Sequence, residues 1–220
     1  MRVLVACECS GKVRDAFLDA GHDAISCDLL PSDSDRGSRR HVQGDVSDLL
    51  GAGWDLVVAH PPCTYLCNSG VRWLYTQPGR WKLMHEAARF FIKCLQANAK
   101  SVCVENPIPH EYAMDIIKEE YSQIVQPWQF GHGETKATCL WLHGLPLLRS
   151  TNVVSGREGR CHRLPPSPNR SKLRAVTYNG IALAMAGQWG TLNTGGNLAN
   201  SIQQPQAVHF VNAGSTGTAA

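Results

Sequence analysis

The first thirty residues constrain the fold more than any other stretch. Residues 2–6, R-V-L-V-A, form a short apolar run, and small and polar residues follow at 7–11. Residues 12–21 then carry Val13, Phe17 and Ala20 at helical spacing and stop at Gly21. Residues 23–29 make a second apolar run that ends near Asp28. Strand, helix, strand in this order is a crossover, and a crossover joins parallel strands. The expected class is therefore α/β, with a mostly parallel, doubly wound sheet.

The rest of the chain continues that pattern. Residues 41–46 read as a weak strand and 55–59 as a strong one. A long helix is expected over 78–97, with Leu83, Ala87, Phe90, Phe91 and Cys94 as its apolar face. A strand over 100–104 and a helix over 111–121 follow. Residues 123–129 and 137–142 read as a final strand pair joined at Gly131-His132-Gly133, so the sheet is expected to end in an antiparallel strand. Residues 145–174 are rich in Pro, Arg, Ser and Asn, and 181–188 read as a short closing helix. From about Thr191 the chain is Gly, Asn, Ser, Thr, Gln and Ala, which reads as a disordered tail. The expected organisation is one body over 1–144, a short basic segment packed on it over 145–190, and a tail over 191–220. A chain of 220 residues suits one such domain.

No apolar run approaches the roughly 20 residues a membrane span needs, so no membrane partner is expected. The N-terminus turns polar at once and reads as a first strand, not a signal peptide. Nine cysteines, an odd number with no C-x-x-C pair, read as reduced thiols of a cytoplasmic protein. Those spacings do not suggest a metal site.

Two strand ends carry reactive groups. The run W-D-L-V-V-A-H ends in Pro61-Pro62-Cys63, where two prolines stiffen the loop that presents the thiol. Cys67, four residues on, is read as a bystander. The run S-V-C-V ends in Glu105-Asn106-Pro107. Burial near a thiol can hold such a glutamate protonated, ready to donate to a ring nitrogen, with Asn106 fixing its orientation. Three further strand ends carry polar groups: Glu8, Ser10 and Gly11 in the first turn, then Asp28, then Asp45. Acids at strand ends suit a nucleoside without phosphate, and a dinucleotide would want a full G-x-G-x-x-G. S-adenosyl-L-methionine fits that description.

The order of these pieces resembles the DNA cytosine-5 methyltransferase family. That family carries a nucleoside-binding turn, strand-end acids, a Pro-Pro-Cys loop and a Glu-Asn loop, in that order. The resemblance covers about residues 1–142. It implies a Rossmann-like class I methyltransferase, of compact phage type, acting on double- or single-stranded DNA with S-adenosyl-L-methionine. Catalytic roles would fall to Cys63, Glu105, Asn106 and Lys136, and cofactor contacts to Glu8, Ser10, Gly11, Asp28, Asp45 and Pro61. Cys63 would attack C6 of cytosine and Glu105 would protonate N3. The sequence E-T-K-A-T puts Lys136 at one arginine position of the family's Q-x-R-x-R strand and Thr138 at the other. It departs from the family pattern at C-E-C-S-G in the first turn, at Ala59-His60 before the prolines, at Thr64 and at Pro107. His60 could tune the Cys63 thiolate or only fill space.

A base in a duplex must leave the stack before a thiol reaches its C6. The basic run Arg157, Arg160, Arg163, Arg170, Lys172 and Arg174 could meet phosphates, and Trp73, Tyr75 and Trp81 could stack on a base. Little chain is left for a recognition domain, which keeps two alternatives open. One is the same chemistry on a free pyrimidine nucleotide. The other is a non-catalytic nucleic-acid- or nucleoside-binding protein on a methyltransferase scaffold. An amino-directed methyltransferase would place an aromatic where Cys63 stands.

Overall fold

Val3, Leu4, Val5 and Ala6 have no solvent exposure, because β1 (Arg2–Ala6) lies inside the sheet with a helical layer on each face. A computed structural model of the chain describes residues 1–192. The strands are β1, β2 (Asp23–Asp28), β3 (His41–Gln43), β4 (Trp54–Ala59), β5 (Ala99–Pro107), β6 (Gln123–Val125) and β7 (Thr138–His143). Their spatial order is β3-β2-β1-β4-β5-β7-β6. The first five pair in parallel, and β7 runs antiparallel to both neighbours. The fold is therefore the mostly parallel, doubly wound, Rossmann-like α/β arrangement expected from the sequence. Its antiparallel strand, last in the chain, sits between β5 and β6 instead of at the edge.

Helices α1 (Lys12–Asp19) and α6 (Asn179–Trp189) pack together on one face, over Val5, Leu56, Val58 and Leu140. Helices α2 (Arg80–Leu95) and α3 (Glu111–Ile117) cover the other, over Leu4, Val57, Val104 and Trp141. Helix α6 thus belongs to the core of the sheet, although it follows the basic segment in sequence. At Gly180 an added Cβ would lie 1.8 Å from the Phe130 carbonyl oxygen, so only glycine lets α6 start this close. The buried stripe of α2 is Met84, Ala88, Phe91, Cys94 and Leu95, with Leu83 exposed. Adjacent Phe90 and Phe91 leave the helical phase open in the sequence, and the observed face is turned one residue from the expected one. Two short helices, α4 (Arg160–Arg163) and α5 (Arg170–Ala175), complete the basic segment. The tail reading lies outside the described residues from 193 onward. No described helix is long and apolar enough to cross a membrane.

Chain order reverses between β1 and β4. In open α/β sheets a ligand crevice forms where strand order reverses, outside the carboxyl ends of the strands. The loops that leave β1 and β4 diverge here, pinned at their base by the His60 N–H, which donates to the Ala6 carbonyl at 2.9 Å.

Candidate active site

The β4 and β5 loops are tied into one unit. Asn106 is 1% exposed, and its Nδ2 donates to the Pro61 carbonyl at 3.1 Å. The Asn68 N–H donates to the Ile108 carbonyl at 3.2 Å, and the His110 N–H to the Leu66 carbonyl at 2.9 Å. His110 Nε2 lies 3.0 Å from the Tyr65 carbonyl. Arg80 donates to the Thr64 carbonyl at 3.0 Å and lies over the Tyr65 ring. Pro61 is buried in this knot, its carbonyl taken by Asn106. Cys63 and Cys67 sit on one turn, since the Leu66 and Cys67 N–H groups both donate to the Cys63 carbonyl.

Cys63 and Cys67 shift each other's ionisation in opposite directions. A hydrogen bond from Cys63 lowers the Cys67 thiol against the cost of its burial, helped by the Ser69 hydroxyl at 3.1 Å and the Arg174 charge. The same bond raises Cys63, and burial raises it further. Between the two thiols, ionisation is thus favoured at Cys67 and disfavoured at Cys63.

Glu105, near the carboxyl end of β5, faces His60, with Oε2 2.6 Å from Nδ1 and both side chains 11% exposed. Burial alone would raise the Glu105 pKa, but the His60 hydrogen bond and charge, with Lys136, outweigh it and hold the carboxyl below its usual range. Burial alone would lower His60, but Glu105, with Glu8 adding its charge, outweighs it and raises the ring. Both directions favour the proton on His60 over the protonated Glu105 that burial alone would give. His60 Nε2 and Asn106 Oδ1 are buried without hydrogen-bond partners among the described residues. Lys136 donates to the Val176 carbonyl at 3.2 Å and lies near the Tyr178 ring.

Lys136 also lines a cavity of about 380 Å³, roofed by the basic segment through Arg160, Arg174, Thr177 and Tyr178. The basic residues are not all free to meet phosphate. Arg160 pairs with Glu134 at 3.0 Å and Lys172 with Asp33 at 2.5 Å. Arg157 stacks on Trp128, and Arg170 donates to the Leu164 carbonyl. Arg163 and Arg174 have no side-chain partner among the described residues. Trp81, Tyr75 and Tyr112 form an edge-packed aromatic cluster beside α2, with Tyr75 66% exposed, while Arg72 stacks on Trp73. A second depression, about 450 Å³, lies at the opposite edge of the sheet, where Lys100 pairs with Asp55 and no nucleophile is present.

The first-turn side is built differently. Glu8 is buried, and its carboxylate accepts the Val13 N–H at 2.7 Å, the Arg14 N–H at 3.2 Å and the Ser10 hydroxyl at 3.2 Å. It caps α1 and shapes the turn, and so offers a ligand less than the sequence reading expected. Gly11 has φ 72°, and a Cβ there would meet Arg14 and Ser34. Asp45 is the N-cap of a 3-10 turn, and the Ser47 N–H bond holds its carboxyl low. Asp28 accepts the Leu30 N–H through Oδ1 only. Beside it Leu29 is 73% and Leu30 51% exposed, an apolar surface next to a carboxylate. That pairing fits a nucleoside, with ribose hydroxyls on Asp28 and a base on the leucines.

No protein-family model matches the chain, and no curated protein matches it. Solved structures similar to it include a prophage-encoded E. coli protein described as a DNA modification methyltransferase. The TM-score there is 0.43 at 14% identity, over 70% of this chain and 52% of that one. A second is the Entamoeba histolytica methyltransferase EhMeth, with a TM-score of 0.42 at 15% identity, over 77% of this chain and 61% of that one. The chain thus spans between about half and three fifths of these structures.

Proposed function

We propose that the protein transfers a methyl group from S-adenosyl-L-methionine to C5 of cytosine in DNA. The observation that carries this reading is the single knot joining the Cys63 loop of β4 to the Glu105 end of β5 through Asn106 and Pro61. It supports the reading because a thiol and a carboxyl presented from adjacent strands are the groups that addition to C6 of a pyrimidine with engagement of N3 requires. Cys63 attacks C6 as the thiolate. Glu105 engages N3, and Lys136 faces the same carboxylate. When bound, the cofactor supplies an electrophilic methyl group on a sulfonium. Asp28, Leu29 and Leu30 would hold its nucleoside, with the Glu8-organised turn behind it. In this reading residues 1–144 are the catalytic body, and residues 145–178 receive the target nucleotide, with Arg174 meeting a phosphate.

The direct test is methyl transfer from labelled cofactor to a cytosine-containing oligonucleotide, read as 5-methylcytosine after digestion. Product that requires Cys63 supports the reading, and label on another atom overturns it. The internal pairing of four basic residues favours one second reading, the same chemistry on a free pyrimidine nucleotide. Competition by a pyrimidine triphosphate against methylation of DNA would select it.

A further inference from the structure

Parallel pairing of Ala59 with Val104 sets the residues that follow, His60 and Glu105, side by side at the carboxyl edge. The two side chains meet at 2.6 Å, both nearly excluded from water. An ionised Glu105 can accept a hydrogen bond but cannot protonate a ring nitrogen. The reaction proposed above needs that proton, because electron density arriving at N3 when the thiolate adds to C6 is otherwise unstable.

We propose that His60 is the proton reservoir for this step, delivering its Nδ1 proton through Glu105 to N3 of the target base. The inference rests on the cytosine reading and adds a residue to it. As the sulfur–C6 bond forms, the C5–C6 π pair moves to C4–C5 and the C4–N3 π pair settles on N3. The His60 proton passes to Glu105 and on to N3, so the N3–H bond forms, Glu105 ends as the carboxylate it began as, and His60 is left neutral. After methyl transfer solvent water takes the C5 proton, the freed pair restores the C5–C6 π bond, the sulfur–C6 pair leaves with the thiolate, and the N3 proton returns by the same route. His60 acts through Glu105 and is a positioning residue for the proton, not a group that touches substrate.

The surrounding charges support this direction. Glu8 faces His60 from the β1 loop and favours the imidazolium, while Lys136, from the segment before β7, opposes it and favours the Glu105 carboxylate. The groups that face Glu105 otherwise are the thiols of Cys63, Cys103 and Cys139, whose ionisation it suppresses. The raised His60 pKa extends the proton-loaded state toward neutral pH.

The test compares wild type with His60→Gln, whose amide still donates to Glu105 but carries no titratable proton. Wild-type kcat on DNA is expected to fall on the alkaline side as His60 deprotonates. In the variant, kcat at pH 8 should drop about 100-fold with KM changed less than about threefold, and part of the loss should return as pH falls and Glu105 itself protonates. An unchanged pH profile, or an equal loss at every pH, overturns the proposal. A second arm needs no turnover. Nitrogen-15 spectra of the histidine rings, with the His60→Gln spectrum assigning the signal, should show His60 doubly protonated at pH 7 in wild type and neutral in Glu105→Gln. A neutral His60 in wild type overturns it. If wild type transfers no methyl group to cytosine, the parent reading has failed, and the spectra still decide the state of the pair.

Discussion

The two halves of the carboxyl edge treat their polar groups in opposite ways. On the β1–β3 side the acids are consumed locally: Glu8 caps α1, Asp45 caps a 3-10 turn, and Asp28 keeps one oxygen for others. On the β4–β5 side polar groups are coupled or left over: Cys63 with Cys67 and His60 with Glu105 shift each other's ionisation, and His60 Nε2, Asn106 Oδ1 and Arg80 Nε lack hydrogen-bond partners among the described residues. The first side leaves Arg14 Nη2, which is ion-paired with Asp15. Buried polar groups are normally paired, and exceptions cluster where chemistry is done. In the proposed reading the first half is a shaped binding surface, and the second is where bonds change.

That contrast can be broken at several points. The largest effect is expected from Cys63→Ala, which should remove at least about 10³-fold of methyl transfer while leaving the melting temperature near wild type. A collapse of the fold instead would make Cys63 a structural residue. Asn106→Ala comes next. It unties the β4 and β5 loops and leaves a buried carbonyl unpaired, costing about 1–3 kcal/mol by urea unfolding and lowering kcat about 100-fold. Two carboxylate changes then separate scaffold from surface. Glu8→Ala should cost about 1–2 kcal/mol through the lost cap, each kcal/mol lowering the melting temperature by about 2–4 °C. Asp28→Ala should leave the melting temperature within about 1–2 °C and weaken cofactor binding roughly tenfold by calorimetry. The reverse pattern would exchange their roles.

The smallest effect is on stability against pH. His60 is raised from 6.5, so its contribution is full below that value and is lost as pH rises through the folded pKa. Glu105 is lowered from 4.5, so its contribution is full above that value and is lost as pH falls through the folded pKa. Urea midpoints should therefore show the pair's full contribution between those values, and His60→Gln should remove the alkaline loss.

Much of this architecture was legible in sequence because it is local. The strand–helix–strand unit, the stiff Pro61-Pro62-Cys63 loop and the Glu105 strand end each lie within one stretch of chain. What was not legible depends on pairing. His60 meets Glu105 only because Ala59 is in register with Val104, 45 positions away. The basic segment reads as a phosphate surface until Glu134 and Asp33, from distant loops, take two of its cations. The phase of α2 needed the sheet beneath it, and the place of β7 needed its pairing with β5.

The most direct measurement of the central claim is a trapping experiment. The protein is mixed with labelled S-adenosyl-L-methionine and an oligonucleotide carrying 5-fluorocytosine, where fluorine at C5 blocks the final elimination. The account predicts a covalent protein–DNA adduct that carries the labelled methyl group, requires the cofactor and is absent in Cys63→Ala. Cofactor binding without any adduct on single- or double-stranded DNA would contradict it.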